Sequence, residues 1–327
     1  MRKEIMRKFV RFLMIIMTAV AGALLLTTPA HAASGDWSQP IVTLGTSLTA
    51  SQKEGTISTL TSPLNGANYS TITITGDTLV KYLNPSGSTF TSASGVWSSA
   101  AVQKTSSGSG INVQILNYNG KNNITQITAD QYKNAALTAG VTDANIYVTS
   151  AVPIDGSGAL AGVYAAFAQN GDALNQKQVT AAQNEMGTLN DINQANKGKD
   201  GYSDAQLNNA VAGAKEEMAQ KGSNITTGDI TTIVNNQITK NNLGNVINNN
   251  QKQQIINILV QIRDSGALNS SSFKEQASKV MSDIQDNAKS IFNKLNTQEN
   301  RNLFQKVMDA IGQFFQNVWN QIVGLFK

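Results

Sequence analysis

The strand signals in this sequence stop at Gly171. Before that point, from Ile41 to about Asn170, short β-branched runs alternate with helical spacings; after it, only helical periodicity is found. A chain with that asymmetry is expected to fold as α+β, with a mixed-sheet α/β domain (residues 33–170) followed by an all-α helical domain.

In the first half, Ile41-Val42-Thr43-Leu44 reads as a strand. Thr49, with Gln52 three residues on, has capping-box spacing and opens a helix. Thr71 to Thr75 alternates as a strand does. Residues 100–105 and 111–116 flank Ser106-Ser107-Gly108-Ser109-Gly110, which predicts a hairpin with a flexible turn. Thr128 and Gln131 repeat the capping spacing ahead of a helix over residues 131–139, and Gly140 ends it. Residues 145–150 form the next strand. Residues 158–168 are helical, with Leu160, Val163, Tyr164 and Phe167 on one face. The order β-α-β, hairpin, α-β-α predicts one mixed sheet with helices packed on it.

In the second half, Leu174, Val179, Met186 and Leu189 have helical spacing. So do Leu207, Val211, Ala214 and Met218, behind the capping pair Ser203/Gln206. Ile230, Ile233, Val234 and Ile238 make a third set, and Ile255, Ile258, Leu259 and Ile262 a fourth. Phe273, Ala277, Val280, Ile284, Ile291 and Leu295 read as one longer helix started by Ser272, with Glu275 at the capping distance. Loops at residues 197–201 and at Asn248-Asn249-Asn250 separate the helices. Residues 171–302 therefore read as a helical bundle whose surfaces are mostly Asn and Gln.

The N-terminus has the three parts of an export signal over residues 1–32. Arg2, Lys3, Arg7, Lys8 and Arg11 make a basic start, residues 12–26 are apolar and uncharged, and Ala30-His31-Ala32 precedes a cleavage point at Ala33. The apolar stretch is shorter than the roughly 20 residues of a stable membrane span. With no cysteine, a lipid anchor is excluded. The expected location is extracellular, either secreted or loosely associated with the cell envelope.

Removal of the leader changes the charge argument. Taking five basic residues and Glu4 from the chain's 25 Lys+Arg and 21 Asp+Glu leaves 20 of each. The remaining arginines are Arg263 and Arg301, too few for a nucleic-acid surface. His31, the one histidine, leaves with the leader, so the mature chain has neither imidazole nor thiol. Nucleophilic thiol chemistry, an imidazole base and zinc sites built on N or S ligands are excluded. No cofactor is expected.

At Ile41-Val42-Thr43-Leu44-Gly45 with Leu48-Thr49, the sequence resembles the YpuA-like proteins, a family of secreted Gram-positive proteins of unknown function. So does the stretch 128–141, followed by Asp143-Ala144-Asn145-Ile146-Tyr147-Val148-Thr149 and Pro153. The resemblance extends over most of the mature chain. It implies export and a two-part layout, and it brings no activity and no assigned catalytic residues.

The chemistry open to the chain rests on carboxylates, hydroxyls and lysines. A glycosidase needs two carboxyl groups facing one another, and the first half offers Asp36, Glu54, Asp77, Asp130, Asp143 and Asp155. Asp77 and Asp155 follow strands, where both functional loops and ordinary turns occur. Asp191-x-Asn193 with Asp200 fails the calcium-loop pattern, since Asn196 and Tyr202 stand where the glycine and closing glutamate belong. The Ser-Gly runs carry no nucleotide fingerprint. Trp37 and Trp97 read as half-buried packing, with carbohydrate stacking as the alternative.

The C-terminal helix, residues 303–327, carries a seam of Phe304, Met308, Ile311, Phe315, Val318, Ile322 and Leu325. No charge occurs from Ala310 to Phe326. Five amides opposite the seam argue against a membrane span, and the missing cationic face argues against an interfacial helix. Phe304, Ile311, Phe315, Val318, Trp319 and Ile322 are the candidate interaction residues, expected to dock on the chain's own bundle. Self-association or an envelope partner ranks next, and a membrane surface is not favoured. The whole reads as a non-catalytic envelope or binding factor. A carboxylate-dependent hydrolase of wall polysaccharide, or a membrane-peripheral protein held by the last helix, are the alternatives.

Overall fold

The computed structural model describes residues 37–295. Strands β1 (Ile41–Gly45), β2 (Ser70–Ile74), β3 (Ser98–Lys104), β4 (Ile111–Ile115) and β5 (Ala144–Ser150) form one mixed sheet in the order β2-β1-β3-β5-β4. β1 pairs parallel with β2 and β5 parallel with β4, while β3 runs antiparallel between β1 and β5.

The expected hairpin between β3 and β4 does not form. β5 occupies the place beside β3, because it is buried along nearly its whole length and belongs at the centre. β4 has a half-exposed pattern that suits an edge. The Ser-Gly segment instead wraps the start of β5. Thr105 N–H donates to Asp143 O at 2.8 Å, Ala144 N–H to Gly110 O at 3.0 Å, and Gly110 N–H to Asp143 Oδ1 at 3.0 Å.

Strand alternation separates two faces. Val42, Leu44, Ala101 and Tyr147 form a small cluster with Leu60 and Leu64, under helix α1 (Ala50–Thr61) and the turn after it. Thr49 and Gln52 cap α1 reciprocally, as their spacing predicts. On the other face lie α2 (Gly76–Leu83), α3 (Ala129–Ala139) and α4 (Ser157–Gln169). The sequence reading did not anticipate α2, whose first turn closes when the Thr78 hydroxyl accepts from Thr75 N–H at 3.2 Å. α3 has the predicted Thr128/Gln131 box and ends at Gly140 in the left-handed region, φ 92°.

The helical half consists of α5 (Gln176–Asn196), α6 (Asp204–Lys221), α7 (Thr227–Lys240), α8 (Asn249–Asp264), α9 (Phe273–Asn287) and α10 (Lys289–Leu295). Asn248, read from sequence as part of a loop, is the cap of α8, in a box with Gln251. The long helix expected from Phe273 to Leu295 is broken at Ala288, whose φ of −116° and ψ of 31° leave the helical region. The Ser272/Glu275 box is absent too. Ser272 already has helical backbone angles, and Glu275 pairs with Lys279 at 3.3 Å.

The apolar core continues across residue 171. Ile146, Leu137, Val179, Met218 and Ile284 belong to one connected cluster that runs from the sheet through α3 into the bundle. Every residue of α3 from Gln131 to Ala139 is buried, and its polar side chains face the helical half. Among the described residues, no helix is long and apolar enough to cross a membrane.

Candidate functional site

A concavity lies where the two halves meet. It encloses about 560 Å³ between α5, α8 and the turn after α2. Gln183, Asn184, Thr188 and Asp191 line it from α5, and Gln254, Asn257 and Gln261 from α8; Ser86 and Ser88 form the third side. Ile258 is the one branched apolar side chain in the lining, and Asp191 the one charged group. Helical spacing explains this wall: positions three and four apart share a face, so 184, 187, 188 and 191 align on α5 and 254, 257, 258 and 261 on α8.

Several of these amides are already oriented. Asn184 Nδ2 donates to Gln261 Oε1 at 2.7 Å, which ties α5 to α8. Gln183 Nε2 donates to the Tyr164 hydroxyl of α4 at 3.0 Å, and Gln253 Nε2 to Asn257 Oδ1 at 2.9 Å. A carboxamide has two donor hydrogens and two acceptor sites, so each keeps unspent hydrogen-bonding capacity. The surface offers paired donors and acceptors with almost no net charge.

Gly187 sits on this wall in the middle of a 21-residue helix. Glycine there costs about 1 kcal/mol of helix stability against alanine. The glycines of α1, α4 and α6 have a packing reason, whereas Gly228 in the first turn of α7 meets only Thr226 Oγ1 at 3.7 Å. A Cβ on Gly162 would stand 2.4 Å from the Thr43 hydroxyl, on Gly158 2.9 Å from Ser98, on Gly55 2.6 Å from Tyr118, and on Gly213 2.7 Å from Gln237. At Gly187 no atom of the described residues lies within 4 Å.

The opposite face of α5 carries a buried ion pair. Glu185 and Lys215 are both 0% exposed, with Lys215 Nζ 2.7 Å from Glu185 Oε1. The ammonium also donates to Asn134 O at 2.9 Å and to Thr138 Oγ1 at 3.2 Å, which uses its three hydrogens. The Thr138 hydroxyl donates to Glu185 Oε2 at 2.5 Å. Burial pushes the Glu185 carboxyl up and the Lys215 ammonium down, and the charge of each partner opposes that shift. The pair joins α3, α5 and α6 and is sealed from solvent. It is a structural clasp between the halves.

A second concavity, of about 400 Å³, lies between α6, α7, α9 and α10. Its groups are tied to each other. Asn241 Nδ2 donates to Gln237 O at 2.9 Å, Asn209 Nδ2 donates to Asn241 Oδ1 at 2.7 Å, and Glu217 accepts from Gln237 at 2.7 Å and Lys240 at 2.8 Å.

The acids proposed from sequence do not converge on the large groove. Glu54 is exposed on α1. Asp77, in the first turn of α2, accepts from the Ser92 hydroxyl. Asp155 accepts from Ser157 N–H and Oγ, each at 3.2 Å, in a local turn. Asp143 is held below the usual carboxylate range. Burial raises it, but bonds from Gly110 N–H and the Gln276 amide at 2.8 Å outweigh that. Asp130 lies in the first turn of α3, 3.5 Å from Lys133, and burial raises its pKa. Near it is Asp204, which sequence reasoning did not single out. Burial and then the Asp130 charge push it to about 6, against the hydrogen bonds from Thr128 and Asn208.

Trp37 donates through Nε1 to Asp172 Oδ2 at 2.9 Å and meets the Phe167 ring edge-on at 4.9 Å. Trp97 lies half-buried over Gly95. Neither lines the groove. Among the described residues, no group of three or more His, Cys, Asp or Glu is arranged to hold a metal ion. Asp36, the leader residues Ala30, Ala32 and Ala33, and the seam residues Phe304, Ile311, Phe315, Val318, Trp319 and Ile322 lie outside the described residues.

Compared with known proteins, residues 44–280 match the family described as "Protein of unknown function (DUF1002)". The match runs from β1 into α9 and takes in both halves and every groove-lining residue. The chain belongs to this family. It is also similar to "Uncharacterized protein YpuA" of Bacillus subtilis (strain 168), with 31% identity over 313 residues, covering 94% of this chain and 97% of that one. No solved structure matches the chain. The resemblance to YpuA-like proteins read from the opening strand is thus a family membership across nearly the whole chain.

Proposed function

We propose that this member of the DUF1002 family is an exported, non-catalytic binding factor of the cell envelope. The leader-like residues 1–32 support export, and a mature chain without histidine or cysteine narrows the chemistry available. The observation that carries the binding reading is the groove of about 560 Å³ walled by neutral amides and hydroxyls. Such a surface recognises a polar ligand through hydrogen bonds and has one carboxylate, Asp191, where general acid–base hydrolysis of a glycoside uses two. The acids elsewhere serve caps, turns and the joint between halves, which weakens the hydrolase alternative.

The test is fractionation of cells expressing the full chain, followed by sedimentation of the purified protein with isolated walls and, separately, with membrane vesicles. Recovery in the wall pellet, without release of soluble sugar, is expected. Recovery in the vesicle pellet alone would favour the membrane-peripheral alternative. Release of reducing sugar would favour the hydrolase.

A further inference from the structure

We infer that the groove between α5 and α8 is built for an uncharged oligosaccharide bearing hydroxyl and acetamido groups, which lies against the bare helix backbone at Gly187. The inference rests on the binding-factor reading above and names the ligand class of its site. Gly187 is the starting point. It interrupts a helix that would be more stable with alanine, and among the described residues no atom uses the room its missing side chain leaves. The glycines of α1, α4 and α6 just compared all yield space to a neighbouring side chain. At Gly187 the space opens into the groove, so what it admits comes from outside the described fold.

The lining then selects the chemistry. An anionic polymer would meet Asp191 and no cation, and a cationic one would find that single carboxylate. An apolar ligand would have only Ile258 to cover it. Asn184, Gln254, Asn257 and Gln261 each present both a donor and an acceptor, the complement of an acetamido group, which also carries one of each. Ser88 and Thr188 match hydroxyls in the same way, and Ser86, whose hydroxyl donates to Leu83 O at 2.6 Å, adds an acceptor. A peptide would satisfy amides equally well, but its side chains need pockets of their own, and apart from Ile258 and two glycines this wall is polar. A sugar ring has hydroxyls around its rim and a flat C–H face that can rest on a helix surface lacking Cβ.

The experiment is calorimetric titration of the full chain with tetra- to hexameric N-acetylglucosamine, and with a blocked neutral peptide of similar length. Gly187→Ala and Gly187→Phe are run beside the parent. Saturable oligosaccharide binding is expected, weakened at least tenfold in Gly187→Phe. Gly187→Ala should melt higher than the parent, which shows that the position tolerates a side chain. Binding of the peptide in place of the sugar would overturn the inference, as would equal sugar affinity in Gly187→Phe. Failure of either variant to fold would also overturn it, because the space over Gly187 would then belong to the chain. If the protein pellets with walls that the oligosaccharide does not compete for, the ligand class falls and the binding-factor reading stands. If the sugar binds but walls do not retain the protein, the reverse holds.

Discussion

Two charged residues, Lys215 and Glu185, show how this protein uses polarity inside its core. Both are fully buried, and each has its hydrogen-bonding capacity met by the other, by Thr138 or by Asn134 O. A single truncation leaves an uncompensated charge, so Lys215→Met is expected to destabilise by about 3–5 kcal/mol. The double variant Lys215→Met/Glu185→Leu should recover most of that loss, as measured by urea unfolding. Equal losses in single and double variants would contradict the clasp. Asp204 gives a pH-dependent counterpart. Its folded pKa of about 6 lies above the ordinary aspartate value of 3.8, so the native state binds the proton more tightly than the unfolded chain does. The resulting penalty is absent below pH 3.8 and grows to its full size as pH rises through about 6. Asp204→Asn should therefore improve in melting temperature relative to the parent on going from pH 5 to pH 7.5. A pH-independent difference would remove Asp204 as the source.

At the scale of elements, local chemistry was legible in part, since the Ser272/Glu275 box does not form and the box at Asn248/Gln251 was read as a loop. The boxes Thr49/Gln52 and Thr128/Gln131 and the Gly140 stop form as spacing predicts, because their partners lie within a turn. Strand pairing was not legible. Ser106 to Gly110 has the composition of a hairpin turn, yet the more buried β5 competes for the place beside β3 and wins it. The break at Ala288 carries no glycine or proline to announce it. The groove was hidden for a related reason. Its Asn and Gln residues fit a solvated face, and only the glycine inside the periodic run of α5 marked the wall. Gly187→Ala is expected to raise stability by about 1 kcal/mol, or ~2–4 °C in melting temperature for a domain of this size. By contrast, Gly162→Ala forces a Cβ to 2.4 Å from the Thr43 hydroxyl and should lower it. The same direction for both would contradict the packing distinction between them.

In the molecule as a whole, the polar face of α3 ties the sheet to the helices. Gln131, Asn134 and Thr138 are buried and bond to residues of α5 and α6, Lys133 is buried beside Asp130, and the apolar cluster continues from Ile146 to Ile284. Sequence periodicity finds a change of pattern at residue 171, but it has no access to which surfaces meet. One cooperative thermal transition is expected, with calorimetric and van't Hoff enthalpies equal; two separable transitions would mean that the halves fold as independent domains. The groove draws its walls from both halves, so its shape depends on that shared core. The most direct measurement is amide hydrogen exchange of the purified protein with and without solubilised wall fragments. Slowed exchange confined to residues 86–88, 183–191 and 254–261 is the expected result. Binding that leaves those segments unchanged, and protects others instead, would contradict the groove as the functional site.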